Sequence, residues 1–149
     1  GVEWNLLKQP QEDIDKLHEW VSEFKKHREW FAVDTVVHSD AADPAVRVDG
    51  CVMPNKDAAI YRFTQLTTSQ TYPAAPVRLP GLDPDAVYEV SPLEVSLDLA
   101  KQDIGNGQSP LGWWTAEGVR MTGRALASYG IRPPALHPAQ AVLFKVVRV

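Results

Sequence analysis

The chain has 149 residues, 44% of them hydrophobic, and a formal net charge of −4, a length that suits one domain burying about 68–70% of its unfolded surface. Acids and bases are interspersed, so there is no basic stripe for nucleic acid and no polybasic patch for a membrane surface, and no apolar run approaches the roughly 20 residues needed to span a bilayer. The single cysteine, Cys51, rules out an internal disulfide, and the cysteine and histidine spacing of a zinc site is lacking.

No metal or cofactor is expected, and small uncharged or polar partners stay open. Cys51 falls in an alternating apolar run and reads as a buried, inert thiol. The opening residues lack the basic and apolar regions of a signal peptide. If the chain is a piece of a longer protein, a targeting signal would lie upstream of Gly1.

From Pro10 to about Phe31, Ile14, Leu17, Val21, Phe24 and Phe31 fall on one stripe at helical spacing. Glu12, Asp13 and Asp15 gather at the positive end of this helix and Lys25, Lys26, His27 and Arg28 at the negative end, as the helix dipole favours. Its broad apolar face, with Trp4, Trp20 and Trp30 nearby, requires a covering surface, either the rest of the domain or a neighbouring copy.

After Phe31 the period changes to two. Residues 33–38, 46–53, 58–67, 77–79, 87–93, 95–99 and 141–149 read as strands, separated by turn material at 40–44, 54–57, 73–76 and 105–110. The run 76–90 reads as strand, turn and strand, with Gly81 and the prolines breaking the alternation of Val77, Leu79, Tyr88 and Val90. Residues 119–131 fit a short helix or a strand; Gly118, Gly123 and Gly130 favour the extended form. The expected fold is therefore mainly β: an antiparallel two-sheet β-sandwich preceded by one amphipathic α-helix.

Three stretches carry a family resemblance. The opening Gly1-Val2-Glu3-Trp4-Asn5-Leu6-Leu7, the helix with Lys25 and Arg28, and the run Arg78-Leu79-Pro80-Gly81-Leu82-Asp83-Pro84 through Tyr88 together resemble bacterial α-galactosidases of glycoside hydrolase family 36. The tail adds Gly123, Leu126, Gly130, Pro133 and the strand Ala141-Val142-Leu143 in the same order.

The resemblance implies that residues 1–31 are the loop and last helix of a (β/α)8 barrel otherwise absent here, and that 32–149 are the C-terminal antiparallel β-sandwich. It further implies a parent that hydrolyses terminal α-galactosides such as raffinose or melibiose with retention of configuration, using two carboxyl groups about 5–5.5 Å apart. The motifs bearing those aspartates in the family do not occur here, so no catalytic residue is assigned to this chain. Its expected partners are the barrel of the same polypeptide and a second copy of the chain, with no nucleic acid and no membrane. The parent's compartment stays open, with the cytoplasm favoured.

Two groups of residues are candidates for sugar contact. Glu3, Trp4 and Asn5 would follow the last barrel strand, whose loops face the catalytic end; alternatively, Trp4 packs under the helix and Asn5 begins the turn toward it. Trp113 and Trp114 could stack on a pyranose in an autonomous carbohydrate-binding module. Adjacent strand residues point to opposite faces, so at least one of the two is expected in the core or an interface. Asp34, Asp40, Asp43, Asp49, Asp57, Asp83 and Asp85 mostly lie in turns, where aspartate bonds nearby backbone amides. His18, His27, His38 and His137 are scattered, without the pairing of a helical metal site.

Overall fold

The computed structural model describes residues 3–32, 35–71, 74–101 and 111–149. A short 3-10 turn at Leu6–Lys8 leads into helix α1, Gln11–Phe31. Strands β1 Val36–Ser39, β2 Val46–Val52 and β3 Ala58–Gln65 form a meander. Then come β4 Val87–Pro92, α2 Glu94–Lys101, β5 Val119–Thr122, α3 Gly123–Ser128 and β6 Gln140–Arg148.

Among the described residues the strands form one six-stranded antiparallel sheet in the order β1-β2-β3-β6-β4-β5, not two stacked sheets. That order puts β6 between β3 and β4, and β4 between β5 and β6. The connections 66–86 and 123–139 must therefore each pass over one strand. They run over the same face and meet: Val77 and Ile131 form an antiparallel bridge, and the Leu79 amide donates to the Leu126 carbonyl at 2.9 Å. These crossovers take the place of the second sheet expected from the sequence.

The alternation of the strands explains the core. Val48, Val52, Tyr61, Phe63, Val142, Phe144, Val146, Tyr88 and Val90 share one face and are buried beneath Val77, Leu79, Leu82, Leu126 and Ile131 of the crossovers. Two tyrosines fasten the layers. Tyr61 Oη donates to the Pro80 carbonyl, and Tyr88 Oη donates to the Lys56 carbonyl at 2.8 Å while accepting the Asp83 amide at 3.0 Å. Burial, reinforced by Tyr88, pushes the Tyr61 phenol far above its ordinary range, so it stays a neutral donor.

Two elements depart from the sequence reading. Residues 95–99 belong to α2, not to a strand. Leu93, Ser96 and Leu97 fit helical spacing while Leu93, Val95 and Leu97 fit alternation, and the tertiary structure selects the helix: Ser96 is fully buried, its hydroxyl accepting the Leu143 amide of β6 at 2.9 Å. Residues 123–128 form α3 instead of continuing the extended chain. Thr122 caps it by accepting the Ala125 amide at 3.2 Å, and Gly130, at φ +86°, closes it by donating to the Ala125 carbonyl at 2.9 Å. Residue 77 pairs only through its isolated bridge. The expected turn at 105–110 and the first two residues of the expected strand 33–38 lie outside the described residues.

Helix α1 approaches β2, β3 and α2, and none of its residues belongs to the core beneath the crossovers. Its most buried residue is Glu23, paired with His27 Nε2 at 2.9 Å and with Lys26 Nζ at 3.3 Å. The apolar stripe is only half covered: Ile14, Leu17 and Val21 are half-buried, while Phe24 is 54% exposed.

Gly123 and Gly130 are where the second crossover touches the first. A Cβ at Gly123 would stand 2.0 Å from the Asp83 carbonyl oxygen, and one at Gly130 would stand 2.2 Å from that of Val77. Gly130→Ala combines this overlap with a positive φ, so it is expected to cost about 2–3 kcal/mol, a fall in Tm of about 5–10 °C. Gly112→Ala, where nothing lies within 4 Å, should change stability by less than about 0.5 kcal/mol. Thermal unfolding of the two variants beside the parent chain checks both.

Candidate functional site

Trp113 and Trp114 lie in a turn, where the Trp114 amide donates to the Leu111 carbonyl at 3.0 Å, so strand alternation does not apply to them. Both side chains enter the core, each 8% exposed. Their rings meet edge to face at 5.0 Å, and Trp113 meets Phe144 in the same way at 5.7 Å. Trp113 Nε1 donates to the Arg132 carbonyl at 2.9 Å and Trp114 Nε1 to that of Leu97 at 3.4 Å. The pair therefore packs the end of the sheet and offers no open face for stacking on a pyranose.

Glu3, Trp4 and Asn5 are exposed, Trp4 by 56%. Asn5 precedes the 3-10 turn, its carbonyl accepting the Lys8 amide at 3.0 Å. Leu7, at 98% exposure, and Leu6 extend this apolar surface. Trp4 is thus not tucked under α1, and the opening segment and the half-open stripe of α1 leave Trp4, Leu6, Leu7, Trp20 and Phe24 in solvent.

Away from α1, charged side chains gather into ion-pair clusters on the sheet. Asp57 and Asp83 flank Arg148 Nη1 at 3.7 and 3.5 Å. Asp49, on the face of β2 opposite the core, receives Arg62 Nη2 at 2.6 Å and Arg47 Nε at 3.0 Å, with His38 Nδ1 at 2.6 Å from the same carboxylate. Burial opposes the charge on Asp49, but its bonds to Arg62, Arg47 and His38 outweigh burial and hold its pKa down to about 2. Asp49 is therefore a strand residue that gathers charges across β1, β2 and β3, not a turn residue. Among the described residues no three histidine, cysteine or acidic side chains are placed to share a metal ion.

A groove of about 530 Å³ opens on the crossover side of the sheet, with no lining residue from α1. Its floor includes Val46 and Phe63, and its rim carries Asp40, Asp43, Arg78 and Tyr129. Sequence reasoning left this group unassembled: Asp40 and Asp43 read as turn residues, and Tyr129 as a helix or strand residue. No local pattern links them, because the crossovers bring together positions up to 89 apart.

Residues 46–146 match the model of the glycosyl hydrolase family 36 C-terminal domain. The chain belongs to this family. It is 22% identical to an α-galactosidase of Escherichia coli, over 99% of this chain and 21% of that protein. Among solved structures it is similar to the α-galactosidase of Lactobacillus brevis, with a TM-score of 0.73, 17% identity and coverage of 99% of this chain and 18% of that one. The α-galactosidase AgaA of Geobacillus stearothermophilus gives a TM-score of 0.72 at 15% identity, covering 99% and 17% respectively. The chain thus spans about a fifth of the length of these relatives. The matches include α1, which lies outside the residues matched by the family model.

Within this family 36 domain, the Asp49 cluster has a consequence for acid stability. The folded-state pKa lies below the ordinary carboxylate value, so its stabilisation is present above about pH 4 and is lost as pH falls toward 2. With both arginines half exposed, Asp49→Asn is expected to lose about 1 kcal/mol at pH 7. Urea unfolding of both proteins at pH 7 and pH 2 should show that gap close at the lower pH.

Proposed function

We propose that this chain is the non-catalytic C-terminal accessory domain of an α-galactosidase, with residues 1–31 supplying the loop and last helix of its (β/α)8 barrel. The observation that carries this reading is the open apolar surface on the opening segment and α1 of a family 36 C-terminal domain. Leu7, Trp4 and Phe24 are each more than half exposed, and several large apolar side chains left in solvent on one segment and the helix that follows it suit a surface that meets another. A catalytic barrel in the same polypeptide is the partner that fits, and it would cover the half of the α1 stripe that β2 and β3 leave bare.

The substrates of the parent enzyme are then terminal α-galactosides. Variants of the Geobacillus stearothermophilus AgaA enzyme have been crystallised in complex with raffinose and with stachyose, which supports that class. The domain's contribution is structural: it seats the last barrel helix and shields one flank of the barrel. A second copy of the chain could meet the same surface, but the apolar residues lie on the opening segment and α1, which favours the barrel. A carbohydrate-binding module built on Trp113 and Trp114 is disfavoured, because both indoles are buried.

The isolated chain is expected to give no turnover of a chromogenic α-galactoside; activity that follows the protein through purification overturns the proposal. The docking surface is tested separately by Leu7→Asp combined with Phe24→Asp. Both side chains are exposed, so the chain should keep its Tm within about 3 °C while losing association with a separately expressed family 36 barrel.

A further inference from the structure

We propose that the groove between the β1–β2 turn, the first crossover and the end of α3 is a binding site for a neutral hexopyranoside. Its volume, about 530 Å³, falls within the range of roughly 300–1,000 Å³ typical of small-molecule pockets. The half-buried Val46, backed by the buried Phe63, gives the groove an apolar patch, and the remaining lining mixes an aromatic ring, a guanidinium and two carboxylates.

The ring belongs to Tyr129, which is 73% exposed at the end of α3. Its backbone is held firmly, since its own amide and that of Gly130 both donate to the Ala125 carbonyl at 2.9 Å, and Gly130 presses against Val77. An apolar face kept in water on a fixed backbone is a suitable platform for the C–H face of a sugar ring. Arg78 lies between Val77 and Leu79, both buried and both tied by backbone bonds to the second crossover, and its own side chain is exposed at the rim.

Across the groove, Asp43 is set by bonds from the Ser69 side chain and the Ala45 amide, which keep its carboxyl charged. Among the described residues, no side-chain hydrogen bond or ion pair occupies Asp40 or Arg78. A guanidinium that donates in a plane and a carboxylate that accepts suit vicinal hydroxyls, which do both.

The charge balance selects against the other ligand classes. Asp40, Asp43 and Arg78 together carry a net negative charge, which repels phosphate or sulfate. A metal ion would find only two carboxylates, one already engaged and a guanidinium nearby, which is a poor hard-cation site. A neutral polyol incurs neither cost.

The inference stands apart from the accessory-domain reading, because it is read by direct binding to this chain, whereas that reading is tested by turnover and by association with a barrel. The experiment is a two-dimensional amide NMR titration of the full chain with methyl α-galactoside, methyl α-glucoside and raffinose. Saturable shifts at Asp43, Arg78 and Tyr129 are expected, with a Kd on the order of 1 mM. Tyr129→Ala and Arg78→Ala should each weaken binding about tenfold. Arg124→Ala, outside the groove, should not weaken it. All three side chains are exposed, so the spectra themselves report that the fold is kept.

The proposal is overturned by the absence of saturable shifts at about 50 mM sugar, well above that Kd. It is equally overturned by shifts that survive unchanged in both groove variants, or by tighter binding of sulfate than of any sugar at the same amides.

Discussion

The fold depends on the close approach of its two crossover connections. A single six-stranded sheet has two faces to cover, and here one face is closed by segments with little regular structure of their own. What lets them act as a layer is mutual contact: Gly123 against Asp83, Gly130 against Val77, and the pairing of Val77 with Ile131. Backbone carbonyls sit where a side chain would begin. The buried tyrosines then tie this layer to the sheet, Tyr61 through Pro80 and Tyr88 through Asp83 and Lys56. Removing these fastenings would leave backbone donors and acceptors unpaired beneath the layer, which costs more than the bonds themselves contribute.

The residues that carry the family resemblance are the same ones. Arg78 to Tyr88 is the first crossover and its entry into β4, while Gly123, Leu126 and Gly130 form the second. These motifs therefore describe how two chain segments fit together over a sheet. Most of this lock also lies within the residues that match the family 36 C-terminal domain. The opposite face differs in kind. There the most buried residue of α1 is a carboxylate, Glu23, whose histidine and lysine partners lie on the same helix, and much of its apolar stripe stays open. A helix so arranged has apolar surface left for another partner, which is the physical basis of the proposal that it packs against a catalytic barrel.

Much of this was legible in local pattern. The extent of α1, the meander of β1 to β3, β4 and the final strand follow from hydrophobic period, and the turns between them from proline, glycine and aspartate. The pattern failed where two periods fit the same residues. Leu93, Ser96 and Leu97 satisfy a helix, Val95 and Leu97 a strand, and the decision came from the Leu143 amide waiting for the Ser96 hydroxyl. Gly123 and Gly130 looked like helix breakers, yet one begins α3 and the other ends it. The rule of opposite faces misplaced the tryptophan pair, because a turn sends both indoles the same way.

The sequence by itself determined the mainly β class of the fold through its period, and the ordered motifs carried the family resemblance, which in turn implies that the catalytic carboxylates are not in this chain. Only the tertiary structure decided that crossovers replace a second sheet, that Trp113 and Trp114 are core residues, and that Asp49 gathers charges from three strands. It also assembled Asp40, Asp43, Arg78 and Tyr129 around one groove. The physical reason is the same in each case. Period and motif report what a residue's immediate neighbours allow, whereas strand order and chain crossing choose which distant residues share a surface.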